Sequence, residues 1–62
     1  MPRLSSSQKR LLLAAAAMIE GVPTDEWQRK YRIPNVERDT VAELADALDT
    51  GNWTQVRRLL AT

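Results

Sequence analysis

Leu11 to Ile19 is an unbroken run of nine apolar residues, four of them alanine, in a chain of 62. A helix advances about 100° per residue, so a run of this length wraps the whole cylinder and no single neighbouring face can cover it. The segment is therefore expected either at the centre of the fold or partly against another chain. Its flanks read as helix ends. Ser5 and Gln8 stand in the S-x-x-Q capping-box relation, and Gly21 supplies a left-handed stop. Leucine and alanine are strong helix formers, and the run holds no β-branched residue before Ile19. Arg3, Lys9 and Arg10 ahead of it give a superficial likeness to a secretory leader. The polar cap and the alanine content argue instead for a structural helix, without which too little chain would remain to fold. The run also falls far short of the roughly 20 residues that span a bilayer.

Three more helices are expected downstream. Pro23 and Thr24 open a short one, with Asp25 and Glu26 where the N-terminal dipole favours acids and Arg29, Lys30 and Arg32 where the C-terminal dipole favours bases. Trp27 and Tyr31, four apart, are expected to face inward together. Pro34 disfavours helical geometry at Ile33 and ends the helix by about Arg32. The next runs from about Val36 to Asp49, capped by Asn35 or Asp39 and stopped by Gly51. A last helix follows an N-x-x-Q cap at Asn52 and Gln55, with Trp53, Val56, Leu59 and Leu60 on one face. No stretch alternates with period two. The expected fold is a single all-α domain, a compact bundle of three to four short helices at about 6–20, 24–32, 36–49 and 53–61. With one tyrosine and no phenylalanine in the chain, Trp27 and Trp53 are expected to be the principal core anchors.

Absent residue types narrow the function. The chain has no cysteine and no histidine, which excludes disulfide frameworks, thiolate chemistry and imidazole acid–base work, and removes the usual zinc ligands. Asp25 and Glu26 are adjacent and diverge around their helix, the serines have no base nearby, and no glycine-rich phosphate loop occurs. No enzyme activity, cofactor, metal or small-molecule substrate is therefore expected, and no membrane association. The lack of cysteine fits a cytoplasmic setting. Net charge is +1, so any attraction to an ionic partner has to come from local patches.

Such a patch lies between Glu37 and Asp49. Five acids fall there against one base, Arg38, while the remainder of the chain holds eight bases and three acids. At helical spacing Asp39, Glu43 and Asp46 line one edge, with Val41, Leu44, Ala45 and Leu48 on the opposite one. Asp39–Glu43 and Glu43–Asp46 are like-charge neighbours, each costing a few tenths of a kcal/mol. A compensating partner is expected, either a basic helix of the same chain, a second copy, or another protein. The expected contact surface is Asp39, Glu43 and Asp46, with Leu13 and Ala17 of the first helix as its apolar complement. On this reading the chain is a small regulator or inhibitor of phage or plasmid type that occupies a partner's surface and self-associates in one version.

The residues from Gly21 through Trp27, Arg29-Lys30-Tyr31-Arg32-Ile33 and Asp39-Thr40-Val41 resemble the helix-turn-helix pattern of small bacterial and phage regulators and recombinases. The resemblance covers about half the chain. It implies a DNA-binding regulator in which Thr40 and Val41 open a recognition helix and Arg29, Lys30, Arg32 and Arg38 contact the duplex, giving a nucleic-acid partner as the alternative to a protein one. Two features depart from the pattern. Pro34 to Arg38 lengthens the turn, and the recognition helix would present acids to phosphates.

Overall fold

A computed structural model of the chain describes residues 3–61, and among these it contains four helices and no strand. α1 spans Ser6–Ile19, α2 Thr24–Lys30, α3 Asn35–Thr50 and α4 Trp53–Ala61. The all-α bundle expected from the sequence is the fold observed, with helix limits within two residues of the expected ones. α1 packs along α3, α4 packs on α3, and α2 leans on α1. The bundle measures 30 × 23 × 18 Å.

The joints follow from local chemistry. At the start of α1, Ser5 Oγ accepts from the Gln8 amide while Gln8 Oε1 accepts from the Ser5 amide, completing the capping box. Gln8 also reaches across the fold, where its Nε2 donates to the Leu60 carbonyl at 2.9 Å. That bond satisfies one of the carbonyls left open in the last turn of α4 and ties the beginning of the fold to its end. At the other end of α1, Gly21 sits at φ 90°, its amide bonded to Met18 O and the Val22 amide to Ala17 O. α3 closes in the same way, with Gly51 at φ 72° and the Asn52 amide bonded to Ala47 O. This paired closure, with a left-handed residue in the middle, is the Schellman motif.

α2 ends by the same motif without a glycine. The Ile33 amide bonds to Gln28 O and the Arg32 amide to Arg29 O, and Arg32 is the residue at positive φ, 55°. The helix therefore stops at Lys30, before Pro34 can act on Ile33. Nor is Asn35 or Asp39 the cap of α3. The cap position is Pro34, with no side-chain hydrogen bond, and Asn35 is the first helical residue. Its Oδ1 instead accepts from Gln28 Nε2, which also donates to Ile33 O, so the amide of Gln28 bridges the α2–α3 joint. At α4, Asn52 Oδ1 accepts from the Gln55 amide, one arm of the expected cap. The other arm does not form because the Asn52 amide already closes α3.

The core lies where α1, α3 and α4 meet. Leu11, Ala14 and Ala15 from α1, Val41, Leu44 and Ala47 from α3, and Val56 and Leu59 from α4 are buried together with Trp27 and Ile33. Trp27 is 1% exposed and Tyr31 is half-buried against the same cluster. Trp53 is not a core anchor: it is 61% exposed. It is the first residue of α4, and a helical side chain leans toward the N-terminus over the preceding turn. The residues before it, Gly51 and Asn52, form the joint and not a helical turn, and the face that α4 buries is defined by Val56 and Leu59, further round the cylinder.

Candidate protein-interaction surface

α3 presents its acids as the sequence periodicity requires. Val41, Leu44 and Ala45 are buried, and Asp39, Glu43 and Asp46 are exposed on the far side. Among the described residues none of the three acids is joined to a base by an ion pair, so neither Arg29 and Lys30 nor Arg57 and Arg58 compensate them from within the chain. Like charges one turn apart repel through water with little to offset them. Asp46 and Asp49 stand in the C-terminal part of α3, where the helix dipole favours cations, and the last turn of α3 contains no base. Their placement works against the stability of their own helix.

Beside these acids runs an open groove of about 240 Å³, lined from α1 by Met18 and Ile19 and from α3 by Ala42, Ala45, Asp46 and Asp49. Met18 and Ile19 are the last two residues of α1 and are 38% and 45% exposed. They are the tail of the nine-residue apolar run, left uncovered because α3 passes the end of α1 without enclosing it. The expected apolar complement was different. Leu13 is 53% exposed, but it lies roughly opposite Met18 and Ile19 around α1, and Ala17 is half-buried against the core. Of the three expected acids Asp46 alone borders the groove, joined there by Asp49, and the apolar side chains beside them are Met18, Ile19, Ala42 and Ala45.

The bases around the α2–α3 joint divide into two kinds. Arg29, Lys30, Arg32 and Arg38 are exposed, with Lys30 Nζ 5.5 Å from the centre of the Tyr31 ring. Arg10 is half-buried and donates from Nη1 to Arg32 O at 3.4 Å, which makes it a strut between α1 and the joint. Thr40 and Val41 do not open a helix: α3 begins at Asn35, Thr40 is half-buried and Val41 is fully buried. The residues at the exposed start of α3 are Asn35, Val36 and Arg38, with Val36 87% exposed.

Among the described residues there is no group of three or more acids that could hold a metal ion, and no helix is long and apolar enough to cross a membrane. No protein-family model, curated protein or solved structure matches this chain.

Proposed function

We propose that the chain is a non-enzymatic binding module of the cytoplasm, a small regulator or inhibitor that acts by occupying a basic surface on a partner protein through the acidic edge of α3. One observation carries this reading. Asp39, Glu43 and Asp46 are exposed and lack an ion-pair partner among the described residues, and Asp46 together with Asp49 lines a groove with Met18 and Ile19, so charge and apolar area are offered together. That combination suits an amphipathic partner element with lysine or arginine flanking an apolar stripe. Electrostatic complementarity of this kind chiefly sets encounter rate and specificity, while the groove supplies the desolvated contact.

The test is a titration by fluorescence anisotropy with a labelled amphipathic helical peptide, leucine along one stripe and lysine on its flank. The parent chain is expected to bind it, and the double variant Glu43→Lys, Asp46→Lys to bind at least tenfold more weakly while melting slightly higher, since two like-charge neighbours are relieved. Equal affinity in the double variant would remove the acidic edge from the assignment.

A DNA-binding reading draws support from a different observation, the exposure of Arg29, Lys30, Arg32 and Arg38 around one joint. Under it, changing Arg29 and Lys30 to alanine weakens binding to any duplex and flattens its salt dependence. The acids of α3 weigh against it, because they would face the phosphates beside those bases.

A further inference from the structure

The groove at the end of α1 has a complement on the same molecule. α4 buries Val56 and Leu59 and leaves Trp53, Arg57 and Arg58 in solvent. Trp53 and Arg57 are four apart and share one edge of the helix, so a large apolar ring and a cation project side by side. The groove offers the reverse: Met18 and Ile19 as an apolar floor, Asp46 and Asp49 as an anionic rim. Its 240 Å³ is smaller than a typical small-molecule site and is of the size to receive one large side chain.

The two surfaces cannot meet within one chain. Val56 and Leu59 hold another side of α4 against the core and leave Trp53 and Arg57 in solvent, and among the described residues no ion pair joins Arg57 or Arg58 to an acid. Neither half is explained by the fold. Asp49 opposes the dipole of α3, and an exposed tryptophan at a helix start contributes nothing to the core.

We propose that the groove is a docking site for a second copy of this chain, with Trp53 of one copy seated on Met18 and Ile19 of the other and Arg57 and Arg58 paired with Asp46 and Asp49. The proposal rests on the acidic edge of α3 being a protein-binding surface, and it names the occupant. The contact is small, so the association is weak and reversible and belongs with interfaces of under about 1,200 Å². Tryptophan and arginine at its centre are the residue types that dominate such contacts.

Sedimentation equilibrium of the pure chain over a wide concentration range, at low and at high salt, tests the pairing with two charge-reversed variants. One is Asp46→Lys, Asp49→Lys; the other is Arg57→Glu, Arg58→Glu. All four residues are exposed, so both variants are expected to keep the fold, and circular dichroism checks it. The parent is expected to associate, less so at high salt. Each variant alone sets like charge against like and is expected to be monomeric, while an equimolar mixture of the two regains association because each then offers the other a matched surface. Trp53→Ala is expected to weaken parent association about 30-fold, the loss typical of a hot-spot residue. A parent chain that stays monomeric at every concentration overturns the proposal, as does a mixture that fails to associate when the parent does. The outcome is separable from that of the peptide titration. The variant Arg57→Glu, Arg58→Glu keeps Glu43 and Asp46, so continued peptide binding with no self-association would reject the second copy and leave the acidic edge standing.

Discussion

Arg32 holds with a side chain a conformation that Gly21 and Gly51 hold without one. The left-handed region costs a non-glycine residue about 1–2 kcal/mol, because Cβ crowds the following carbonyl. The hydrogen bonds that require it at Arg32 are backbone ones, as is the oxygen that Arg10 grips. Arg32→Gly therefore keeps every one of these bonds while removing the strain. After the larger unfolded-state entropy of glycine is set against it, a gain of up to about 1 kcal/mol is expected, a rise of several degrees in melting temperature for a domain this small. An unchanged or lower melting temperature would show that Arg32 relieves its own strain by contacts of its side chain. The tryptophans form the sharper contrast. Trp27→Ala is expected to cost about 3–5 kcal/mol, enough to unfold the chain, and Trp53→Ala less than about 0.5 kcal/mol, both read from thermal melts. Trp27 also leaves its indole N–H buried without a partner. Trp27→Phe removes that donor along with some volume, so it should be far milder than the alanine change. From composition alone the two tryptophans look alike. What separates them is that Trp53 directly follows its helix cap, a position from which a side chain has no preceding turn to cover.

At the scale of elements, the helix ends were the most readable part of the sequence. S-x-x-Q at Ser5 and Gln8, and the glycines at 21 and 51, specify their geometry within a few residues of themselves, and the structure forms them as expected. The ends that were not readable are those settled by a residue from another element. Asn35 loses its capping role to Gln28, which reaches it only once the α2–α3 joint has folded. Asn52 gives its amide to α3 and its side chain to α4, a division forced by a connection too short to give each helix its own capping residue. The acidic edge of α3 was readable because a 100° step depends on nothing outside the helix. The groove beside it was not, since it exists only through the way the end of α1 meets α3. Asp49 provides the element-scale test of whether those acids serve the fold. Asp49→Lys exchanges an acid for a base in the last turn of α3, and a gain of about 0.3–1 kcal/mol is expected in a urea melt. A loss would mean that Asp49 stabilises α3 through a contact that outweighs the dipole.

For the whole molecule, the nine-residue apolar run and the small size of the chain are two aspects of one problem. A bundle 30 × 23 × 18 Å across cannot enclose a helix that is apolar all round, and the remainder stays outside as Leu13, Ala16, Met18 and Ile19. Small domains without disulfides or metals gain stability by association, and any partner that binds only the folded form raises its melting temperature by mass action. The exposed end of α1 thus connects the way the chain folds to the surface proposed for binding. The two tryptophans make both processes visible by light alone. Trp27, sealed in the core, emits from an apolar environment and shifts to longer wavelength only when the bundle opens. Trp53, bathed in water, is open to quenching by acrylamide until something covers α4. With no other tryptophan in the chain, a single emission spectrum carries one channel for folding and another for docking, and neither needs a dye.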